Sequence, residues 1–378
     1  MIRSGVIFKE EKEPLINEVD AMYSMALDPA YYIATLPDYL SEIRISNLLK
    51  DSTKKEKSHI QMAKEMDDIV KESETSKEQG AIVNPLLDCQ MGDSPVEVIP
   101  TMISTIDSHM YGGLGVGEFG LICGITGLGK TTLAVNFCWG AAKLGFPTAL
   151  ITLELPAKKI SERLYSRISE IPYNRIRSGD DGNMEDVRRE MWEKISLEDD
   201  ETRSRFQIWD YSQESCTITM IENRLKDLKK KNKLPKMLFL DWLDALGTDP
   251  GERRGGVVLK ELRHLLQSYS QGISELANRY KIAIWATTQS NGKGENQQQV
   301  RMTNASEGFG KSFRCSVFLG IGATDEDRLE NRLTVTAGKM RDGMIFSAQI
   351  EARLDIQKFS DISVNLEDDV ANFVPRRR

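Results

Sequence analysis

Short apolar runs alternate with helical patterns over roughly the last two thirds of the chain. Strands that are buried on both faces appear as continuous apolar runs, and their alternation with helices is typical of an α/β sheet. Five such runs occupy residues 119–123, 148–153, 237–240, 282–288 and 316–321. The pattern therefore predicts an α/β fold with a mostly parallel sheet flanked by helices.

Two further strand patterns, 333–337 and 344–350, lie near the C-terminal end and flank Arg341-Asp342-Gly343. Asp-Gly between two strand patterns is a strong hairpin signal. We therefore expect a β-hairpin to close the domain.

The N-terminal part of the chain is patterned differently. It is rich in charge and mostly helical in pattern, and apolar residues recur at helical spacing within residues 54–71, which is typical of an amphipathic helix. Periodicity is then lost in a stretch of polar and turn-forming residues. The predicted organisation is a small helical region at 1–71, a linker at 72–95, a large domain at 96–353 and a tail at 354–378.

Composition and charge exclude several classes of protein. The 50 basic and 57 acidic residues give a net charge of −7, so any contact with nucleic acid must be local. The five cysteines are widely spaced without a C-x-x-C pair, which argues against a zinc module or a disulfide scaffold and suits a reducing compartment. Because no apolar stretch reaches the roughly 18 residues of a membrane span, we expect a cytoplasmic protein without a membrane partner.

Residues 124–131, G-I-T-G-L-G-K-T, match the phosphate-binding P-loop and lie between a strand pattern and a helical pattern. The glycines let main-chain N–H groups point at phosphates, Lys130 reaches the β and γ oxygens, and the Thr131 hydroxyl binds Mg²⁺. The sequence therefore predicts a site for ATP or another NTP with Mg²⁺. The candidate nucleotide-binding residues are Gly124, Thr126, Gly127, Gly129, Lys130, Thr131 and Thr132.

Three polar residues follow other predicted strands, at the sheet edge where ligands of open α/β sheets bind. Asp241 is the candidate second metal ligand, with Asp244 as the alternative. Glu154 either polarises the attacking water or is a solvent-exposed residue that starts the next helix. Gln289 either senses the γ-phosphate or is a polar strand end.

Taken together, the motifs resemble the DnaB-like replicative helicase family, whose motor is a RecA-type domain. The similar segments follow the family's order and span about two thirds of the chain. They are residues 99–107, 112–118, 153–156, 176–179, 240–244, 288–291 and 338–343. The resemblance implies a RecA-like P-loop NTPase core that hydrolyses ATP.

The resemblance also implies roles for single residues. Glu154 matches the catalytic glutamate, Gln289 the sensor, and Arg341 the arginine finger with Lys339 beside it. Without the family pattern, Lys339 and Arg341 would be ordinary solvated charges beside a turn. A finger that reaches across a subunit boundary stabilises charge in the neighbour's transition state, so the family implies a homo-oligomer, in the form of a hexameric ring.

In ring motors of this family, single-stranded DNA passes a channel lined by loops that follow the Asp241 and Gln289 strands. Cations in these loops would track phosphates without reading bases, with steep salt dependence. The alternative is that they are ordinary charges on surface loops. The candidate DNA-binding residues are Arg253, Arg254, Lys293, Arg301, Lys311 and Arg314.

The leading interpretation is a replicative DNA helicase, with primase or a helicase loader as possible family-type partners. Residues 1–90 do not align to the family's longer N-terminal domain, and the helix at 54–71 either docks on an adjacent subunit or packs within its own region. Residues 224–241 and 258–278 look closer to helicases of tailed phages than to bacterial ones. The alternatives are a RecA-like recombinase that forms filaments and an ATP-gated assembly or loading protein without motor activity.

Overall fold

The computed structural model describes residues 97–179, 183–248, 262–290, 299–300, 302 and 314–362. The chain divides into two units, Met1–Asp93 and Ser94–Arg378, and every described residue belongs to the second. The N-terminal region, linker helix and linker lie outside the described residues, so these assignments stay predictions. Within the described ranges, no helix is long and apolar enough to cross a membrane.

A nine-stranded sheet forms the centre of the described unit, and two short strands form a separate small sheet. The strands are β1 (Val98–Ile99), β2 (Leu114–Gly115), β3 (Phe119–Gly124), β4 (Thr148–Thr152), β5 (Phe206–Asp210), β6 (Met237–Asp241), β7 (Ala283–Gln289), β8 (Val317–Gly322), β9 (Arg332–Met340), β10 (Ser347–Arg353) and β11 (Lys358–Ser360). The order in the large sheet is β11-β10-β9-β8-β3-β7-β6-β4-β5. Neighbours from β8 to β5 pair in parallel, and β9, β10 and β11 add antiparallel pairs at one side. Strands β1 and β2 form the small sheet.

Helices cover the sheet between these strands, which confirms the predicted α/β fold. The helices are α1 (Ser104–Asp107), α2 (Lys130–Lys143), α3 (Ala157–Ser169), α4 (Tyr173–Ser178), α5 (Met184–Ile195), α6 (Asp200–Ser204), α7 (Ile218–Lys230), α8 (Leu262–Tyr280) and α9 (Asp325–Leu329). Helix α2 follows the P-loop, as its pattern predicts.

The central strands are buried on both faces because each face carries its own core. Consecutive residues of a strand point to opposite sides, so in β6 Phe239 joins one core and Leu238 the other. Phe137 of α2 packs into the first core, and Ile221 of α7 and Ile273 of α8 pack into the second. This two-sided burial explains why the central strands appear in the sequence as unbroken apolar runs.

The C-terminal hairpin is confirmed, but its connection differs from a tight Asp-Gly turn. Strands β9 and β10 pair antiparallel, and the Ala337 N–H donates to the Phe346 carbonyl. Residues 341–346 form the loop between the two strands. Gly343 therefore lies within a six-residue loop and is not part of a two-residue hairpin turn.

The sheet also extends past residue 353, where the sequence analysis begins the tail. Strand β11 pairs antiparallel with β10. Asn136 of α2 holds the segment in place: its side-chain amide donates to the Gln357 carbonyl at 2.9 Å, and its Oδ1 accepts from Phe359 N at 3.1 Å. The start of the predicted tail is thus part of the same core. The sequence analysis did not predict β11 because a strand of three residues is too short to give a recognisable pattern.

Candidate active site

The P-loop connects the end of β3 to the start of α2, as its motif predicts. Gly129 has φ +81°, in the left-handed region that favours glycine, and a Cβ there would lie 2.8 Å from the Leu354 side chain. The first N–H groups of a helix have no partners within it and carry partial positive charge. The loop is therefore shaped to receive phosphate oxygens.

Lys130 lies at the first position of α2 with its ammonium turned into the loop. Nζ donates to the carbonyls of Gly124 at 2.9 Å and Ile125 at 2.8 Å. Burial holds the pKa of this ammonium below its usual value, and the charges of Asp241 and, more weakly, Glu154 oppose the shift. A cation thus stands where the loop would enclose the phosphates.

Asp241 contacts the P-loop directly. Its Oδ2 accepts from the Thr131 hydroxyl at 2.6 Å, and its Oδ1 accepts from the Thr287 hydroxyl at 2.6 Å. The alternative carboxylate, Asp244, instead accepts from the Thr288 hydroxyl at 2.7 Å. Asp241 is therefore in direct contact with Thr131, the predicted Mg²⁺ ligand of the P-loop.

Thr131 and Asp241 form a suitable pair of oxygen ligands for Mg²⁺. This ion is commonly bound through one or two carboxylates together with phosphate oxygens and water. Among the residues that the structure describes, no group of three or more His, Cys, Asp or Glu side chains could hold a metal ion. The hydroxyl and the carboxylate fit an ion that arrives with the nucleotide.

Glu154 and Gln289 lie at the same carboxyl edge of the sheet. In the parallel register Gln289 is opposite Gly124, the first residue of the P-loop motif. Leu153 N donates to the Asp241 carbonyl at 2.9 Å, which brings the end of β4 beside Asp241. Glu154 is exposed there and its charge acts on Lys130. The sheet thus gathers these two residues around the P-loop.

Arg341 lies at the opposite edge of the sheet. Its N–H donates to the Ser316 carbonyl at 2.9 Å, and Ser316 N donates to the carbonyl of Phe119, the first residue of β3. Gly124 ends that strand five residues later, about 17 Å away at 3.3 Å per residue. The structure therefore does not bring Arg341 to the P-loop of its own chain. Lys339, on β9, is level with Leu121 in the middle of β3, about 10 Å from Gly124.

A family model described as the DnaB-like helicase C-terminal domain matches residues 98–307, which is more than half of the chain. The chain belongs to this family. The match includes the P-loop, Glu154, Asp241 and Gln289, and it ends before Lys339 and Arg341.

Curated relatives of this DnaB-like chain are named as replicative helicases. The replicative DNA helicase DnaB of Leifsonia xyli subsp. xyli is 26% identical over 218 residues, covering 57% of this chain and 44% of the relative. A probable plasmid replicative DNA helicase of Chlamydia trachomatis is 25% identical over 256 residues, covering 66% and 52%. The chain thus spans about half the length of these relatives.

Solved structures share the RecA-like fold of the DnaB-like domain. One that is described as an ATPase domain superposes with a TM-score of 0.63 at 17% identity, covering 76% of this chain and 100% of that one. A DnaB-like replicative helicase, described with its interactions with primase, gives 0.67 at 17% identity, covering 87% and 78%. At 17% identity, these superpositions show a shared fold and nothing further.

Two contacts of this DnaB-like domain have no motif that could have predicted them. The Thr132 hydroxyl, a candidate phosphate ligand, donates instead to Gln357 Oε1 at 2.7 Å, which leaves its main-chain N–H as the group suited to phosphate. Asn136 Oδ1 also accepts from Arg167 Nε at 2.6 Å. Both tie the P-loop helix to distant parts of the chain.

Most of the candidate DNA-binding residues of the DnaB-like domain lie outside the residues that the structure describes. Arg253, Arg254, Lys293, Arg301 and Lys311 lie outside the described residues. Arg314 is described and is exposed just before β8. The DNA-binding loops therefore stay predictions.

Thr287→Val is expected to lower the free energy of unfolding by about 1–3 kcal/mol, because a buried Asp241 oxygen loses its hydrogen-bond donor while the side-chain shape is kept. Urea unfolding would measure the change. Thr334→Val is the matched control, since Thr334 is also buried and its hydroxyl has no partner in the described structure. Equal losses in the two variants would contradict a stabilising Thr287–Asp241 bond.

Proposed function

We propose that this protein is an ATP-driven replicative DNA helicase that works as a hexameric ring on single-stranded DNA and unwinds duplex at the fork. The observation that carries the proposal is the 2.6 Å contact between the Thr131 hydroxyl and Asp241 at the P-loop of a DnaB-like domain. The proposed substrate for hydrolysis is ATP or another NTP, and the proposed cofactor is Mg²⁺.

The residues at the carboxyl edge divide the work of hydrolysis. Lys130 leaves its two carbonyl partners and binds the β and γ oxygens. Thr131 and Asp241 would hold Mg²⁺, which when bound would neutralise phosphate charge. Glu154 takes the proton of the attacking water, and Gln289 contacts the γ-phosphate. Water attacks the γ-phosphorus, and ADP and phosphate are released.

The site is completed by a second copy of the chain. Arg341 lies at the amino edge, about 17 Å along β3 from its own P-loop, and Lys339 is level with Leu121, about 10 Å from Gly124 along the same strand. A cation at the amino edge is placed to serve a nucleotide held by a neighbour, where it stabilises charge that develops on the γ-phosphate. This geometry supports a homo-oligomer in which each finger acts on the next subunit.

The remaining assignments rest on the family. Cationic loops after β6 and β7 would bind the DNA backbone with strong salt dependence. Primase is a proposed partner because one structural neighbour is described with its interactions with primase, and a helicase loader is the other. Action in the cytoplasm, and kinship with helicases of tailed phages, stay predictions.

Light scattering tests the assembly. With Mg²⁺ and a non-hydrolysable ATP analogue we expect a mass near six protomers, and with ATP a hydrolysis rate that rises when single-stranded DNA is added. A mass that is broad and grows with DNA length would indicate a recombinase filament. A monomer whose hydrolysis ignores DNA would favour the assembly or loading protein, and either result would overturn the helicase proposal.

A further inference from the structure

The loop that carries Arg341, residues 341–346, is fixed at its two ends by main-chain hydrogen bonds. Arg341 N donates to the Ser316 carbonyl at 2.9 Å, and the Phe346 carbonyl accepts from Ala337 N at 2.8 Å. Most of the residues between them are exposed, so packing within the loop does not determine its path. The path depends on what the loop contacts elsewhere.

His109 supplies that contact in three ways. Its ring stacks on Phe346 with centroids 4.3 Å apart and planes 20° from parallel. Its carbonyl accepts from Met344 N at 3.3 Å. A Cβ on Gly343 would lie 2.7 Å from the same carbonyl oxygen, so the glycine allows the loop to approach this closely. One residue thus holds the middle and the far end of the loop.

His109 is itself held in a fixed position. Its Nδ1 lies 2.8 Å from the Thr105 carbonyl, and since a carbonyl only accepts, Nδ1 carries the hydrogen. The preceding helix α1 is anchored at both ends: Asp361 accepts from Thr105 N at 2.7 Å, and Asp107 accepts from Thr101 N at 2.8 Å. The support under the loop is therefore rigid.

We propose that His109 is a positioning residue for Arg341. By holding the loop it sets the activity of the nucleotide site on the neighbouring copy, and leaves the P-loop of its own chain unaffected. This inference rests on the proposed action of Arg341 across the subunit boundary. A shift of about 1 Å in a group that stabilises the transition state can cost around a hundredfold in rate.

His109→Ala is expected to lower kcat for ATP at least tenfold, while KM and nucleotide binding change by less than twofold. His109→Phe keeps the ring stack and should recover most of the loss. Ser108→Ala is the matched control, because the Ser108 hydroxyl makes two long contacts of 3.4 Å, to the Thr105 carbonyl and to His109 Nδ1, and neither involves residues 341–346. Its kcat should be unchanged, since the 2.8 Å bond between His109 Nδ1 and the Thr105 carbonyl remains. A His109→Ala variant with wild-type kcat would overturn the proposal.

Subunit mixing separates this role from a general structural one. In oligomers mixed from His109→Ala and Lys130→Ala chains, the intact P-loops receive wild-type loops, so activity per intact P-loop should rise. If that mixture stays slow while Arg341→Ala mixed with Lys130→Ala recovers, His109 acts on its own site and the proposal is wrong. If neither mixture recovers, Arg341 does not act across the boundary, and the proposed function fails at that point.

Discussion

Lys130→Ala is expected to reduce ATP hydrolysis by about 10²- to 10³-fold or more while the protein remains folded. Lys130 is the cation that the structure turns into the P-loop, where its Nζ lies 2.9 Å from the Gly124 carbonyl. Loss of one preorganised donor to developing phosphate charge costs this much in rate. The rate of ADP release at saturating ATP and Mg²⁺ measures the effect.

Lys143→Ala is the matched control for this change. Lys143 is the last residue of the same helix and forms a partly exposed ion pair with Glu198 at 2.8 Å. Surface pairs of this kind contribute little to stability, so hydrolysis and folding should both stay near wild type. Normal turnover in Lys130→Ala would refute the assignment of the P-loop as the catalytic site.

Arg341→Ala is expected to lower kcat by about 10³- to 10⁵-fold, the range known for arginine fingers, while nucleotide binding and assembly are kept. The reason is positional, because Arg341 lies at the amino edge of the sheet and its own P-loop lies at the carboxyl edge. Titration with a fluorescent nucleotide, light scattering and ATPase rates measure binding, assembly and turnover separately.

Mixed oligomers make this second prediction specific. We expect neither Arg341→Ala nor Lys130→Ala chains to hydrolyse ATP well alone. Their mixture should recover activity, because it would form sites with an intact P-loop and an intact finger. Arg332→Ala is the control, since Arg332 begins the same strand and forms an exposed pair with Glu330 at 3.0 Å. Full activity of an Arg341→Ala monomer would contradict action across the boundary.

The central sheet was predictable because its strands are buried on both sides. Runs such as 237–240 stay apolar throughout because alternate residues enter two different cores. The edge strand β5 was not predicted: it is half exposed, with Gln207 and Asp210 facing solvent, so it lacks a continuous apolar run. Because β5 is half exposed, it has no continuous apolar run, and a continuous run was the pattern by which the other strands were predicted.

The candidate site was only partly predictable for a similar reason. The P-loop is a local motif, in which one contiguous segment determines the backbone conformation and supplies Lys130 and Thr131. The choice between Asp241 and Asp244 depended on which carboxylate reaches Thr131, and that follows from the order of β3, β7 and β6 in the sheet. Spacing along the chain does not encode it.

The sequence by itself determined the α/β fold, the P-loop and the resemblance to DnaB-like helicases, because these depend on periodicity and on contiguous motifs. Only the tertiary structure decided which edge of the sheet holds Arg341, that Gln357 bonds to Thr132, and that His109 stacks on Phe346. Each of these contacts joins residues that are far apart in the chain or follows from strand register. Such contacts arise when the chain folds, and leave no periodic pattern in the sequence.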